Sequence, residues 1–257
     1  MSIYSFSQTQ TFVQCPRKYQ YKYVDKIKEK EFESSPDLIL GHSVHAALER
    51  LYNQINVLNF PTKDELLTKF KNQRDTEIIE ATKEKPLQIK GEQTLEDYIR
   101  RGIHYLVNYY DKYSPFEGVR VVATENQMVF SLDDQKQFRG IVDRLDKEGE
   151  TFVINDYKTN KNLPTENKEE YIDQLTLYGL GVQQNYAKYF KILKARLHYL
   201  HFDLTDEWEI THERLAAVTK KYGDIINIIE DKKFHYNMGN KKIFEPKENN
   251  FCKYCEY

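Results

Sequence analysis

Apolar positions along the chain follow two spacings, one typical of helices and one typical of strands. Near the start, aromatic and apolar residues recur at helical spacing, at Phe12, Cys15, Tyr19 and Tyr23. We expect Pro16 to divide this stretch into two helical pieces. Ser7-Gln8-Thr9-Gln10 fits a capping box that would begin the first of them. A further apolar face, with His45 beside it, predicts another helix from Gly41 to about Ile55.

The middle of the chain is polar and shows no recognisable chemistry. Residues from about Thr62 to Tyr113 predict two or more helices, joined near Pro86 and Gly91. We interpret residues 56–116 as a helical insertion or cap.

After Pro115 the spacing becomes typical of strands. Segments rich in β-branched and aromatic residues predict strands over Val119–Phe130, Phe138–Leu145 and Thr151–Lys158. Asp146-Lys147-Glu148-Gly149 is expected to form the turn of a hairpin between the last two strands.

The remainder of the chain mixes both patterns. It predicts a helix over about Glu169–Asn185, strands at Leu197–Leu200 and Glu207–Thr211, and a helix over about Glu213–Glu230. This order indicates an α/β fold in which a mixed central sheet is flanked by helices. We expect one domain over residues 1–257, with a sheet core at 117–204. Residues 205–257 would form a C-terminal helix and a cysteine-containing tail.

Composition bounds the class of protein without deciding its function. The chain has 257 residues, of which 40% are hydrophobic and 30% charged, as in soluble globular proteins. No apolar run has the length of a membrane span, and the first residues lack the pattern of a signal peptide, so we expect a cytoplasmic protein. The net charge of −2 does not exclude nucleic-acid binding, which needs only a local basic surface.

The predicted hairpin carries a cluster of charged residues. Side chains alternate along a strand, so Asp156 and Lys158 share one face, and Asp143 on the partner strand can join them. Two acids and a lysine suit phosphodiester hydrolysis, because carboxylates bind Mg²⁺ or Mn²⁺ and a lysine stabilises developing charge. For an Asp-x-Lys triplet taken alone, an ion pair at a solvated strand end is the favoured explanation.

Further motifs make this pattern more specific. Gly140-Ile141-Val142-Asp143-Arg144, followed by Ile154-Asn155-Asp156-Tyr157-Lys158-Thr159, resembles the core of the PD-(D/E)XK nuclease superfamily, in its RecB-like exonuclease branch. Gln174-Leu175-Thr176-Leu177-Tyr178 is similar to the Q-L-x-x-Y signature of that branch, and Gly41-His42-Ser43-Val44-His45 to its G-x-x-V-H motif. Segments at both ends of the chain, at residues 5–7, 15–19 and 251–255, resemble the opening and close of that branch.

The resemblance implies a fold and a set of roles. The fold would be a restriction-endonuclease-like core with a helical insertion. The implied metal ligands, for Mg²⁺ or Mn²⁺, are His45, Asp143, Asp156 and the carbonyl of Tyr157. The implied catalytic residues are Lys158, with Gln174 and Tyr178 on one helical face where they could reach the attacking water or the DNA backbone. Glu125 is either an auxiliary acid or an ordinary polar strand residue.

A second metal site is open on the sequence alone. His42, His45 and Glu49 could present three ligands to zinc from one helix. Their spacing differs from H-E-x-x-H, and no general base accompanies them. This alternative predicts a zinc hydrolase.

The chain has three cysteines, and their placement resembles the iron–sulfur staple of the same nuclease branch. Cys15, Cys252 and Cys255 would hold a 4Fe–4S cluster with a fourth cysteine that falls beyond Tyr257 in that family. Either the sequence stops short of that cysteine, or the cluster is incomplete, absent or replaced by another metal with a borrowed fourth ligand, or the three cysteines are free thiols.

The opening also carries a basic stretch. Between residues 15 and 30 there are six Lys or Arg against two acids, interleaved with tyrosines. Arg17, Lys18 and Lys22 could follow a phosphate backbone while the rings stack on bases. A surface helix with inward tyrosines explains the pattern almost as well. Arg144 is grouped with these residues as a DNA contact.

Together these features predict a metal-dependent DNA nuclease, expected to be an exonuclease in DNA repair, recombination or CRISPR-adaptation-type processing. Its partners would be DNA, single-stranded or with free ends, and helicase or CRISPR-adaptation proteins; no membrane partner is expected. The sequence shows no G-x-x-x-x-G-K-[ST] phosphate loop. The alternative is a catalytically idle DNA-binding or scaffold subunit of a helicase–nuclease or CRISPR complex.

Overall fold

A computed structural model describes residues 2–28, 35–55, 61–83, 87, 89, 93–162, 168–186, 191–250, 252–255 and 257. The helices are α1 (Phe6–Gln14), α2 (Pro16–Tyr19), α3 (Pro36–Ile55), α4 (Lys63–Ala81), α5 (Leu95–Tyr113), α6 (Lys168–Tyr186) and α7 (His212–Asn237). The strands are β1 (Ile3–Ser5), β2 (Arg120–Ser131), β3 (Gln137–Glu148), β4 (Thr151–Lys158), β5 (Ile192–Tyr199) and β6 (Leu204–Glu209). A π-helix (Gln20–Val24) follows α2, and a 3₁₀-helix (Cys252–Tyr254) lies near the end.

The chain folds into two compact units. The first comprises Met1–Phe32, Met128–Gly140 and His212–Tyr257. The second comprises Glu33–Gln127 and Ile141–Thr211. In the first, β1 runs parallel to the beginning of β3, with Tyr4 opposite Phe138. Tyr222 of α7 packs against Phe6 of α1, with ring centroids 5.5 Å apart.

Helix α1 begins two residues earlier than its sequence suggests. Ser5 is the N-cap residue, with φ −135° and ψ 162°, and its side chain accepts a hydrogen bond from the backbone N–H of Gln8. The predicted cap at Ser7 is therefore wrong, because the chain leaves β1 in an extended conformation at Ser5, where the N-cap has to lie. The division at Pro16 is confirmed, since Pro16 opens α2.

The second unit contains a mixed sheet. β3 and β4 are antiparallel, β4 and β5 are parallel, and β5 and β6 are antiparallel. The predicted α/β class with a mixed central sheet flanked by helices is thus confirmed. β5 and β6 begin earlier than predicted, at Ile192 and Leu204.

The hairpin between β3 and β4 is tighter than predicted. Glu148 pairs with Thr151, so the loop consists of Gly149 and Glu150 alone. Gly149 has φ +61°, a conformation that glycine adopts readily. The prediction of a turn at Asp146 is wrong because Asp146 is fully buried within β3 and hydrogen-bonded there by Arg144 and Asn155.

The two faces of this sheet are covered by different helices. α6 packs closely on β5, and a Cβ at Gly179 would lie 3.0 Å from Leu193 Cδ2. α3, α4 and α5 form a core with Tyr157 of β4 on the other face. The prediction of two or more helices between Thr62 and Tyr113 is confirmed by α4 and α5, whereas their junction near Pro86 and Gly91 lies outside the described residues. No helix in the described parts of the chain is long and apolar enough to cross a membrane.

Candidate functional site

The charged residues of the hairpin meet on one face of the sheet in the second unit. Arg144 pairs with Asn155 across the hairpin. Asp143 and Asp156 are the next residues along the two strands and share the opposite face from that pair. Because Asp156 and Lys158 are two residues apart, Lys158 belongs to this face too, as alternation predicts.

The side chains of His45 and Glu125 converge beside Asp143. Single ligand atoms of His45, Glu125 and Asp143 lie within 4.8 Å of one another. His45 comes from α3 and Glu125 from β2, so three elements contribute. The Tyr157 carbonyl lies 3.0 Å from His45 Nε2, and the Tyr157 N–H donates to Asp143 Oδ2 at 2.9 Å. The structure therefore gathers an imidazole, two carboxylates and a carbonyl.

Asp156 lies next to this group but is engaged by the lysine. Lys158 Nζ is 2.7 Å from Asp156 Oδ2. This oxygen is buried and, despite the short ion pair, has no hydrogen bond of good geometry. Of the acids predicted as ligands, Asp143 lies in the three-residue group, whereas Asp156 stands beside it. Glu125, left undecided by sequence, takes the third place.

Gly41 of the G-x-x-V-H motif lies beside the end of β4. A Cβ built there would be in ordinary van der Waals contact with Thr159 Oγ1, at 3.4 Å. Helix α3, which carries His45, therefore approaches the end of β4 closely at this position.

The electrostatics of His45 and Asp143 are linked. Burial by itself lowers the pKa of His45, but the hydrogen bond and charge of Asp143 outweigh burial and raise the pKa to about 9. Burial would raise the pKa of Asp143, but His45 and the Tyr157 N–H hold it below its ordinary value. At neutral pH His45 is therefore protonated, and it has to lose a proton before a ring nitrogen can bind a metal.

The remaining acids carry unfavourable negative charge. Burial, and then the charge of Asp143, raise the pKa of Glu125. Burial also raises the pKa of Asp156, although Lys158 opposes it. A cation among these groups would relieve both effects. Hard carboxylate and carbonyl oxygens with one imidazole are ligands that suit Mg²⁺ and, particularly, Mn²⁺, so the donor set fits a divalent metal.

Residues of helix α6 also lie beside the site. Gln174 Nε2 donates to the Tyr178 hydroxyl at 3.2 Å, so the two predicted residues do lie on one helical face. Burial raises the pKa of Tyr178, and the charge of nearby Asp156 contributes to the increase. Sequence reasoning missed Tyr171, whose ring lies 4.5 Å from Lys158 Nζ. Its position three residues before Gln174, on the same face, was the available signal.

The two histidines of the alternative zinc site point to different partners. His42 Nδ1 lies 3.4 Å from Glu77 of α4, whereas His45 Nδ1 lies 3.4 Å from Asp143. Among the described residues, the group that could hold a metal includes His45 but neither His42 nor Glu49. The geometry favours the hairpin site over a zinc site on α3.

Arg144 is not placed to contact DNA. It is 3% exposed, and its guanidinium pairs with Asp146 at 2.8 Å and lies 3.6 Å from the ring centroid of Tyr52. Alternation turns it to the face covered by α3 and α5, away from Asp143. The interpretation of Arg144 as a DNA contact is therefore corrected to a buried structural role.

The predicted basic surface lies in the first unit. Arg17, Lys18 and Lys22 are half-buried, and Arg17 and Lys22 each lie 5.9 Å from a tyrosine ring. Cations beside rings are compatible with both the DNA-contact and the surface-helix interpretation, so DNA binding by these residues stays a prediction.

The cysteines also lie in the first unit. The backbone N–H of Lys247 donates to Cys15 Sγ at 3.5 Å, and that of Asn249 to Cys252 Sγ at 3.3 Å. The tail thus lies beside the end of α1, as the staple requires. Three thiols are nevertheless fewer than the four that hold a four-iron cluster, so these residues do not complete such a site.

The chain is similar to a known protein family and to solved structures. A family model described as the PD-(D/E)XK nuclease superfamily matches residues 3–257. A solved structure of a candidate exonuclease from Eubacterium rectale has 15% identity and a TM-score of 0.50, covering 98% of this chain and 86% of that one. The solved structure of SSO0001 has 13% identity and a TM-score of 0.40, with coverages of 100% and 84%. No curated protein sequence matches the chain.

Proposed function

Since the chain belongs to the PD-(D/E)XK nuclease superfamily, we propose that it is a Mg²⁺- or Mn²⁺-dependent deoxyribonuclease, working as an exonuclease. The observation that carries this proposal is the convergence of His45, Glu125 and Asp143, with Asp156 and Lys158 on the adjacent strand. Nucleases of this superfamily use divalent metals, and this donor set fits one.

Most residues of the site would hold a metal. His45, Asp143 and the Tyr157 carbonyl would hold the metal, with Glu125 and Asp156 as further oxygen ligands. A divalent metal bound there supplies a Lewis acid that polarises the scissile phosphate and lowers the pKa of water. Burial keeps these carboxylates in a low-dielectric setting, where their attraction for a cation is strong.

Lys158 is suited to stabilise charge that develops on the phosphate. Burial lowers the pKa of Lys158, but the charge and hydrogen bond of Asp156 outweigh burial and raise it above its ordinary value. The ammonium therefore stays protonated at neutral pH and acts as a fixed positive charge. It can stabilise the transition state or orient the attacking water, and is a poor general base.

A catalytically idle scaffold is the alternative, and the site opposes it. Asp143, Asp156 and Lys158 are each largely buried. Burying charges is costly unless they are paired or bind a ligand, so an idle protein has no physical reason to keep them together. The process served, whether repair, recombination or CRISPR-adaptation-type processing with helicase or CRISPR-adaptation partners, is proposed from the family resemblance.

Cleavage assays with matched variants test the proposal. Purified protein is incubated with linear and circular, single- and double-stranded DNA, each with Mg²⁺, Mn²⁺ or EDTA. We expect metal-dependent degradation of DNA with free ends, abolished in Asp156→Ala and in Lys158→Ala. The control is Lys168→Ala, which breaks an exposed ion pair with Asp206 in the same unit and should cleave normally.

Three outcomes would contradict the proposal or part of it. Full activity in Asp156→Ala would show that cleavage arises elsewhere. Metal-independent DNA binding without any cleavage would support the scaffold alternative. Cutting of circular DNA would retain the nuclease but replace exonuclease with endonuclease.

A further inference from the structure

We propose that Arg144 and Asp146 are positioning residues that hold the main chain of β4 in the geometry the metal site needs. They act from the face of the sheet opposite to the site. This inference rests on the proposed function, because the metal site is part of that function.

The starting observation is an ion pair enclosed in the core. Arg144 is 3% exposed and Asp146 is 0% exposed. Arg144 Nε donates to both carboxylate oxygens of Asp146, at 3.0 and 2.9 Å, and the guanidinium carbon lies 3.6 Å from the ring centroid of Tyr52. Apolar residues of similar volume are often as stabilising as such a pair, so stability alone is a weak reason for it.

The pair holds β4 at two positions, one on each side of Asp156. Arg144 Nη1 donates to the hydroxyl of Tyr157, and also to that of Tyr109 at 2.9 Å. Asp146 Oδ2 accepts a hydrogen bond from Asn155 Nδ2 at 2.8 Å. The side chains of residues 155 and 157 are thereby fixed to the two partners of one ion pair, Asn155 to Asp146 and Tyr157 to Arg144.

These anchors act on the site through the peptide groups of Tyr157. Its N–H donates to Asp143 Oδ2 at 2.9 Å, and its carbonyl lies 3.0 Å from His45 Nε2. A rotation of either peptide group would move Asp143 and His45 relative to the carbonyl. Fixing the Tyr157 ring on one face of the sheet therefore fixes the spacing of the three donor groups of the site, which are Asp143, His45 and the Tyr157 carbonyl.

A merely structural role predicts a different result from a positioning role. If the network only stabilises the core, its loss lowers the free energy of unfolding but leaves the metal affinity of folded protein unchanged. If it positions the site, metal affinity falls even where the protein remains fully folded. Groups that orient metal ligands typically contribute about 10- to 100-fold to affinity.

The test compares two tyrosine hydroxyls of the same core. Tyr157→Phe removes the hydroxyl that accepts from Arg144. Tyr105→Phe is the matched control, because the buried Tyr105 hydroxyl bonds His201 Nδ1 at 3.0 Å and makes no described contact with β4. Affinity for Mn²⁺ alone, without DNA, is measured by calorimetry and by the electron paramagnetic resonance signal of free Mn²⁺, at a temperature where circular dichroism shows both variants folded.

We expect Mn²⁺ to bind Tyr157→Phe about tenfold more weakly than native protein, and Tyr105→Phe to bind normally. A second variant removes the charges together, since deleting Arg144 alone would leave Asp146 buried without a partner. The double variant Arg144→Met, Asp146→Leu should fold and show a similar loss of affinity, whereas Arg144→Lys should show a smaller one.

The outcomes separate this inference from the function on which it rests. Native Mn²⁺ affinity in both Tyr157→Phe and the double variant overturns the positioning role alone. If native protein does not bind Mn²⁺, or if Asp143→Ala binds Mn²⁺ as native protein does, the proposed function fails and the inference fails with it.

Discussion

Glu125 combines a strained backbone with a place in the candidate metal site. Its φ is +44°, in the left-handed region, within β2. For a residue with a side chain, this conformation costs about 1 kcal/mol or more. The same backbone turns its carboxylate toward His45 and Asp143. Strained residues that persist in a fold are concentrated at functional sites, which agrees with a role as ligand.

Substitution of Glu125 should therefore raise stability and lower metal affinity together. Glu125→Gly relieves the backbone and removes a carboxylate that burial, and then the charge of Asp143, disfavour. We expect it to increase the free energy of unfolding of metal-free protein by about 1 kcal/mol and to weaken Mn²⁺ binding. Urea denaturation and Mn²⁺ calorimetry measure the two effects.

Glu125→Gln separates the two causes, because it removes the charge but keeps the strained backbone. It should weaken Mn²⁺ binding as much as Glu125→Gly while gaining less stability. Equal stability of the two variants would show that the backbone at this position is not strained.

The site could be predicted from sequence where a residue's place depends on local spacing. Strand alternation sets Asp156 and Lys158 on one face, and the hairpin brings Asp143 to them. The position of the Glu125 carboxylate near His45 and Asp143 could not be predicted, because it depends on the left-handed φ of Glu125 itself, inside a strand. The burial of Arg144 could not be predicted either, since alternation gives a face but not what covers it.

At the scale of elements, helix α6 presents a row of side chains to the catalytic strand. Tyr171, Gln174 and Tyr178 are spaced by three and four residues and share one helical face. The Tyr171 ring lies 4.5 Å from Lys158 Nζ, and its hydroxyl accepts from Asn160 Nδ2 at 3.1 Å. The helix thus steadies both the lysine and the segment that follows β4.

The ring of Tyr171 should contribute more to kcat than its hydroxyl does. A cation beside an aromatic ring gains about 0.5–2 kcal/mol. We expect Tyr171→Leu to lower kcat by about 2- to 30-fold, and Tyr171→Phe to stay close to native. Single-turnover DNA cleavage at saturating Mn²⁺ measures this. Equal losses in the two variants would assign the effect to the Asn160 hydrogen bond instead.

The end of β3 in the hairpin depends on an ion pair between side chains. Asp-Lys-Glu-Gly is a composition typical of turns, and it predicted a turn from Asp146 onward. The strand continues instead to Glu148, because the charge of Asp146 is compensated by Arg144 inside the core. Arg144 stands two residues before Asp146 and has a side chain long enough to pair with it. The spacing of apolar residues does not indicate this ion pair.

At the scale of the whole molecule, the helices predicted as an insertion supply much of one core. Tyr98, Tyr105 and Tyr109 of α5 are buried with Tyr52 of α3. Sequence reasoning described this region as polar, because tyrosines and charged residues alternate along it. Their spacing places the rings on one helical face, and their hydroxyls find partners there, so a tyrosine-rich helix forms a core that hydropathy alone does not reveal.

The same core contains a histidine that should make stability depend on pH. His198 is 2% exposed, and Asn155 Oδ1 lies 3.0 Å from its Nε2. Asn155 donates its amide to Asp146, so its oxygen must accept, and His198 carries its proton on Nε2. Nδ1 then accepts from the hydroxyl of Tyr113 at 3.2 Å. Burial, together with the nearby charges of Arg144, Arg196 and Lys112, lowers the pKa of His198 well below its ordinary value.

The sign of the pH effect follows from this depressed pKa. In the unfolded chain a histidine takes up a proton near pH 6.5, whereas His198 in the folded protein stays neutral. The contribution of His198 to the free energy of unfolding should therefore be fully present above about pH 6.5 and fall by up to about 1.4 kcal/mol per pH unit below it. Urea denaturation followed by the fluorescence of Trp208, the single tryptophan, measures this pH dependence.

His198→Gln removes this titration, so the free energy of unfolding of the variant should fall less than that of native protein between pH 7.5 and 5.5. Parallel losses in the two proteins would show that His198 is not held neutral by the fold.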